Sequence, residues 1–471
     1  MRSRYEIPRV AAAIVTADRD RRFGKRTVIA RLLVVCLVLA FFAPSAVAAR
    51  GALAEYVEAK DASYGWHEVR SGNIGRASYS ELILTSHTWR GIPWKHQLIV
   101  LRPANVDPAV KQAFLFIHGG RWKPEYEAGQ ERLPREARLF ERLANSLRAP
   151  VAILRQVPFQ PLFDRREDAL IAYTFDRYLQ TGEADWPLLL PMVKSAARGM
   201  DAIQEFARDR WQLNVEKFTL AGASKRGWTS WLTAAVDARV ASVAPMVIDM
   251  LNLPAQIDLQ RQTFGELSEE VRDYADIDLP GRIDSERGRK LLELIDPYQY
   301  RLSLNLPKLI LLGTNDKYWP LDALKLYWPD LSEPKRVLYV PNQGHSLADY
   351  ERLIGSLSAL HRYSSRGAPL PRVSWGFTPG SNSIGLEVEV DREARGVTLW
   401  TASSATRDFR ESQWKSQACK RAGPRRYTCD IRPEKDRYTA VFGEAHFQDR
   451  DSPRFSLSTA VCITGPDKPA C

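Results

Sequence analysis

Phe218-Thr-Leu-Ala-Gly222-Ala-Ser224-Lys-Arg-Gly227-Trp228 is the stretch on which the reading of this chain turns. An apolar run passes into Gly-x-Ser, and residues compatible with a helix follow. Strand, tight turn and helix in that order are the setting in which a serine hydroxyl is held above a sheet edge as a nucleophile. A glycine two places before the serine keeps so tight a turn from clashing with its neighbours. The usual spacing is G-x-S-x-G; here Arg226 stands at the second glycine position and Gly227 comes one place later. The plain alternative is a buried turn serine without chemistry.

Around this stretch, residues 96–363 alternate two kinds of segment. His96–Leu101, Ala113–Ile117, Pro150–Leu154, Lys217–Leu220, Val240–Ile248, Lys308–Leu312 and Arg336–Val340 read as buried strands. Arg132–Leu147, Leu190–Ala207 and Leu347–Tyr363 have helical periodicity. Near-continuous apolar strands separated by helices predict an α/β domain, with a mostly parallel, doubly wound sheet covered on both faces. Two long connections, about 158–187 and 252–307, are expected to be helical insertions that act as lids or pocket walls. A Gly/Pro-bearing linker at 364–372 closes a domain spanning 49–365. Beyond it, Ile384–Val390, Gly396–Trp400, Arg437–Val441 and Phe455–Val461 are short strands, predicting a β-sandwich-like domain over 372–471.

The run Leu309–Leu312 leads into Gly313-Thr-Asn-Asp316, and Arg336–Val340 leads into Pro341-Asn-Gln-Gly-His345. Both polar residues then fall at the carboxyl edge of the sheet, where open α/β sheets build their sites. The order Ser…Asp…His is that of α/β-hydrolases. Ser224 would be the nucleophile, His345 its base and then the acid for the leaving group, and Asp316 the group that fixes the imidazole tautomer. A capping Asp and a loop His are the plain readings. Asp249, at the end of the preceding strand, is a rival acid; Asp316 is preferred for its place in the loop before the histidine. Phe114-Leu-Phe-Ile-His118-Gly119-Gly120 ends a strand in His-Gly-Gly, so Gly119 and Gly120, with the backbone N–H of Lys225, are the oxyanion candidates. Lys225 and Arg226 are candidates for binding a substrate carboxylate or phosphate, with solvation of the first helical turn as the favoured reading. Trp122, Trp186, Trp228, Trp231 and Trp319 lie near these segments; Arg226, Trp228, Asp249 and Trp319 are taken as substrate-side candidates, with core packing the commoner role for tryptophan.

Gly222-Ala-Ser-Lys-Arg-Gly-Trp-Thr, Pro245-Met-Val-Ile-Asp-Met-Leu-Asn252, Trp186-Pro-Leu-Leu-Leu-Pro-Met-Val-Lys194 and Gly313-Thr-Asn-Asp-Lys-Tyr-Trp319 together resemble the PhoPQ-activated pathogenicity-related family, which includes secreted autocrine proliferation repressor proteins. The resemblance covers roughly residues 55–460. It implies an exported α/β-hydrolase-like protein with a C-terminal β-domain and a link to bacterial virulence and antimicrobial-peptide resistance. It supplies no substrate. The elbow alone is also similar to that of glucuronoyl esterases, where a basic residue follows the serine.

The bulk numbers fit an exported globular protein. Net charge is +11, of which residues 1–48 hold nine Lys/Arg against three Asp/Glu. In that segment a basic stretch precedes an apolar run, Leu32–Phe42, and Ala46-Val47-Ala48, a signal-peptide pattern whose cleavage removes Cys36 and leaves no stable membrane anchor. Periplasm and secretion both fit. The remaining Cys419, Cys429, Cys462 and Cys471 are an even number, predicting two disulfides, with Cys419–Cys429 and Cys462–Cys471 favoured among three pairings. No basic run interleaves with aromatics, so no nucleic-acid partner is expected. No H-E-x-x-H spacing points to a metal, and no cofactor is expected. The expectation is a serine hydrolase acting on an ester or amide of a small-molecule or peptide substrate. The alternative is a secreted binding or signalling protein on a catalytically silent hydrolase scaffold, with the C-terminal domain as the candidate surface for a protein partner.

Overall fold

Side chains on the central strands alternate between two cores. In the strand Gln112–Ile117, Ala113, Leu115 and Ile117 enter one cluster and Phe114 the other. Lys308–Gly313 repeats this, with Ile310 and Leu312 on one side and Leu309 and Leu311 on the opposite side. A strand buried on both faces cannot alternate polar with apolar, which is why these runs are nearly all apolar in sequence. The computed structural model describes residues 51–466, apart from 130, 131, 135, 380–382 and 451. The signal-like segment 1–48 and Cys471 lie outside the described residues.

The strands in chain order are β1 (Gly65–Ile74), β2 (Ala77–Trp89), β3 (Ile92–Pro103), β4 (Gln112–Ile117), β5 (Val151–Leu154), β6 (Lys217–Ala223), β7 (Val240–Met246), β8 (Lys308–Gly313) and β9 (Lys335–Val340). They lie side by side as β1-β2-β3-β5-β4-β6-β7-β8-β9. From β5 to β9 every pairing is parallel, while β1, β2 and β3 form an antiparallel flank joined to β5. One face is covered by α3 (Leu189–Trp211) and α4 (Lys225–Val236). The other carries α1 (Ala137–Leu147) and α6 (Tyr350–Ser365). The long connections contain α2 (Glu167–Thr181) and, after β7, α5 (Leu253–Phe264) with short helices at Arg272–Asp276, Leu279–Arg282 and Glu286–Ile295.

Several boundaries differ from the sequence expectation for local reasons. β7 stops at Met246 and not at Ile248, because Val247 has φ 45°, which no strand accommodates. Helix α6 starts at Tyr350, where the Asp349 side chain accepts from Arg352 N; Leu347, three places earlier, has φ 45°. Helix α1 starts at Ala137, whose N–H donates to Pro134 O.

Beyond 372 the chain forms β10 (Val373–Pro379), β11 (Ile384–Val390), β12 (Gly396–Ser404), β13 (Lys415–Ala418), β14 (Lys420–Arg421), β15 (Arg426–Ile431), β16 (Tyr438–Phe447), β17 (Phe455–Ser458) and β18 (Cys462–Thr464). Strands β10, β11, β15 and β14 make a separate antiparallel sheet. The others extend the large sheet, β17 meeting β9 where Ser458 pairs with Val337. The two sheets pack face to face: a Cβ on Gly443 of β16 would lie 3.1 Å from Val388 and 3.3 Å from Leu386 of β11. Cys419 and Cys429 form the expected disulfide. Among the described residues no helix is long and apolar enough to cross a membrane.

A buried polar cluster lies under the antiparallel flank. Ser86 Oγ is 2.9 Å from His96 Nε2, 3.0 Å from His87 Nδ1 and 3.2 Å from Ser195 Oγ. Burial pushes His96 down to about 4 and His361 down to about 3. Both are neutral in the fold, whereas an unfolded chain takes up protons below about 6.5. Their contribution to stability is therefore complete above that pH and is lost as pH falls toward 4. In urea unfolding at pH 7, 6 and 5, the stability of His96→Gln relative to the parent should rise as the pH falls, the two slopes differing by up to about 1.4 kcal/mol per pH unit. An unchanged slope would contradict a neutral buried His96.

Candidate active site

Ser224 sits between the end of β6 and the start of α4 with φ 58° and ψ −130°. Such a conformation costs on the order of 1–3 kcal/mol and persists only where its surroundings fix it. Ser224 N donates to Met246 O on β7 at 2.8 Å, and Ser224 O accepts from Trp228 N at 3.0 Å. The displaced glycine also has its reason. A Cβ on Gly227 would lie 2.7 Å from Ile248 Cγ2 and 2.9 Å from Gly222 O, and one on Gly222 would lie 2.5 Å from Arg226 O. The two glycines therefore let the helix press on the strands, and Arg226 is free to keep its side chain.

That side chain spans three segments. Arg226 Nε donates to Val157 O at 2.6 Å, while Nη1 and Nη2 donate to the two Glu167 carboxylate oxygens at 2.7 and 2.9 Å. A Cβ on Gly119 would lie 2.3 Å from Arg226 Nη2. Lys225 Nζ lies 2.8 Å from Asp168 Oδ2 and 3.0 Å from Glu167 Oε2. The Lys225 and Arg226 side chains are only 8% and 10% exposed, so the expected role of solvating a helix turn is not the one they have. Burial alone would raise the Glu167 carboxyl; the Arg226 hydrogen bonds and the charges of Arg226 and Lys225 outweigh it and hold it well below the usual range.

Asp316 follows β8 and His345 follows β9. His345 Nδ1 lies 2.9 and 3.0 Å from the two Asp316 oxygens. A carboxylate there favours the tautomer with the proton on Nδ1, leaving Nε2 as acceptor. His345 Nε2 is buried and has no hydrogen-bond partner among the described residues. The Tyr318 ring stacks on the imidazole at 4.1 Å, and Tyr318 N donates to Asp316 Oδ1 at 3.0 Å. The connection between β12 and β13 braces both loops. Asn315 Nδ2 donates to Ser412 O at 2.7 Å and Arg410 O at 3.1 Å; Asn342 exchanges two hydrogen bonds with the Trp414 backbone.

Strand β4 lies beside β6 with Ile117 opposite Gly222, so the His118-Gly119-Gly120 turn is carried to the elbow. Gly119, Gly120, Ser224 and Arg226 line one cleft. Gly120 has φ 125°, a conformation that glycine tolerates and other residues do not. Lys225 is the first residue of α4, and such a position has no intrahelical acceptor for its N–H.

The model of the family described as PhoPQ-activated pathogenicity-related protein matches residues 53–410. This chain belongs to that family. Autocrine proliferation repressor protein A of Dictyostelium discoideum is 31% identical over 410 residues, which are 80% of this chain and 78% of that protein. Among solved structures, acetyl xylan esterase 1 from a Thermoanaerobacterium species aligns with TM-score 0.42 and 16% identity over 62% of this chain and 86% of that one. A glucuronoyl esterase from Solibacter usitatus aligns with TM-score 0.40 and 11% identity over 66% and 90%.

In this family member a largely apolar cavity adjoins Ser224 and His345, walled by residues of α5 and the short helices that follow it. Trp228 and Trp319 line it, as does Lys225. Trp186 and Trp231 are core residues, and Trp122 packs on Tyr126 and Phe159. Asp249, taken from sequence as a rival acid and substrate-side candidate, is not brought to His345. It is buried against Tyr327, whose hydroxyl lies 2.6 Å from Asp249 Oδ1, and it does not line this cavity. The reason is the turn at Val247, which leaves Ile248 facing the cavity and Asp249 behind it. Glu167, Asp168, Tyr274 and Tyr318 went unnoticed in the sequence. The only trace of the first two was an acidic pair equal in number and opposite in sign to the Lys225-Arg226 pair.

Burial raises the Asp249 carboxyl to about 8. The fold thus favours its protonated form, and this stabilisation is lost as pH climbs from the ordinary 3.8 through 8. Asn is neutral throughout and still accepts from Tyr327. The melting temperature of Asp249→Asn relative to the parent should rise steadily from pH 4 to pH 8 and level off above. A constant difference across that range would contradict a neutral Asp249.

Proposed function

We propose that the protein is a serine hydrolase in which Ser224, His345 and Asp316 cleave an ester or amide bond. The single observation that carries this reading is Ser224 held in a strained turn at the same cavity as a histidine whose Nδ1 is fixed by Asp316 and whose Nε2 has no partner among the described residues. Stored strain of this kind concentrates at functional positions. His345 Nε2 takes the Ser224 proton as Oγ bonds to the substrate carbonyl carbon. The oxyanion is stabilised by the backbone N–H groups of Gly120 and Lys225, with Gly119 allowing Arg226 to pass beneath the turn. The bond to the leaving group breaks, and His345 returns the proton to it. Water then attacks the acyl-enzyme with His345 as base, releasing the acid and restoring Ser224. Asp316 holds the tautomer and stabilises the imidazolium.

Export is part of the proposal. It is motivated by the signal-like segment 1–48 and by the Cys419–Cys429 disulfide, a bond that persists in oxidising compartments. The association with virulence comes from the family description alone. A second reading, a binding or signalling protein on a silent scaffold, draws on the name of the Dictyostelium relative.

A fluorophosphonate reagent on purified residues 49–471 decides between the two. The parent should be labelled at Ser224, and Ser224→Ala and His345→Ala should lose labelling by at least a hundredfold. A folded parent that is not labelled would sink the hydrolase reading.

A further inference from the structure

Ser224 stands between two spaces of different character. One is the cavity it shares with His345, of about 70 Å³, lined by Trp228, Met250, Leu253, Ile257 and Trp319 among others. The other is a wider cleft of about 510 Å³ past Gly119 and Gly120, bordered by Tyr350 and Leu353. In acyl transfer the leaving group must depart and water must arrive while the acyl group stays bonded to the serine. The wider cleft suits the group that exchanges, and the narrow cavity suits the group that stays.

The narrow cavity does contain charge, but that charge is already matched. Its ionic residues besides His345 are Lys225 and Asp168. Lys225 Nζ contacts Asp168 Oδ2 at 2.8 Å and Glu167 Oε2 at 3.0 Å. The remaining oxygen of Asp168 accepts from Tyr274 at 2.9 Å. Arg226 is engaged by both oxygens of Glu167. Two cations and two carboxylates therefore neutralise one another, Lys225 and Asp168 at the cavity wall and Arg226 and Glu167 on the side of the cleft. A substrate carboxylate could recruit Lys225 only by displacing its partners, and an ammonium could recruit Asp168 only by displacing Lys225. Either would leave a charge uncompensated beside apolar walls.

We infer that this cavity is an acyl pocket for a compact, uncharged, apolar group, and that the basic pair after the nucleophile is structural and does not recognise an anion. The inference rests on the hydrolase reading above and narrows its substrate class to neutral short-chain acyl esters or amides.

The test uses ethyl esters, with ethanol release as the common readout. Ethyl pentanoate, monoethyl succinate and ethyl 3-aminopropanoate present a neutral, an anionic and a cationic acyl group of similar length. The neutral ester should exceed both charged ones in kcat/KM by at least tenfold. Ile257→Trp, which fills the pocket, should lower the pentanoate-to-acetate ratio at least tenfold, and Ile257→Ala should shift it toward longer chains. Equal or better cleavage of monoethyl succinate by a protein that fluorophosphonate labels would overturn the inference and leave the hydrolase reading standing. Ligand binding without chemistry separates the two further. In Ser224→Ala, ethyl pentanoate should change the fluorescence of the cavity tryptophans at concentrations where monoethyl succinate does not. Equal responses to both would overturn the pocket assignment even if no turnover were found.

Discussion

The fork of Arg226 on Glu167 is the contact on which the site geometry depends. It joins the first turn of the nucleophile helix to the insertion helix Glu167–Thr181, touches the Val157 carbonyl beyond β5, and runs beneath Gly119 in the turn proposed to hold the oxyanion. Bidentate Arg–carboxylate pairs fix direction as well as distance. A lysine at 226 would carry its donors on a single nitrogen and could not reach both Glu167 oxygens and the Val157 carbonyl as the planar fork does, and a glycine, as in the common elbow spacing, would leave the three segments unlinked. Glu167 itself has φ 52°, so the acceptor as well as the nucleophile is held in an uncommon backbone state. Positive φ angles recur along this edge at Gln156, Ser224, Val247 and Asn342, each just past the end of a central strand. Strain at one edge of an otherwise regular sheet is where a site is to be expected.

Much of this was legible in the sequence because it depends on local pattern. Strands buried on both faces must be nearly apolar throughout, so all seven runs between residues 96 and 340, six on parallel strands and one on the antiparallel β3, lie on strands or overlap them closely. The order of Ser224, Asp316 and His345 along the chain, each just past a strand, suffices to place them on one edge. What was not legible depends on contacts between distant segments. Nothing in the spacing of Glu167 and Asp168 says that they meet Lys225 and Arg226. The two basic residues therefore read as a solvated helix turn, when in fact they are buried and neutralised. Asp249 misled for a related reason: the apolar run extends to Ile248, but the backbone leaves the sheet at Val247 and turns the acid away from His345.

The C-terminal strands change meaning in the same way. Their alternating pattern predicted a separate sandwich, and one small sheet does stand apart. Yet β17 pairs with β9, and the segment 409–414 holds the asparagines next to Asp316 and near His345. This region therefore supports the site directly. Side-chain amides bonded to fixed carbonyls limit how far either loop can drift, a limit that the proton transfer proposed between Ser224 and His345 would need.

If the Glu167–Arg226 fork positions Ser224, loosening the fork must slow the reaction of that serine. The most direct measurement is the rate constant of fluorophosphonate labelling of Glu167→Gln, with near-ultraviolet circular dichroism recorded in the same buffer to verify the fold. Gln keeps the size and one acceptor but gives up the charge and the second acceptor. The positioning role predicts a labelling rate at least tenfold below the parent with an unchanged spectrum. A parent-like rate in the folded variant would contradict it.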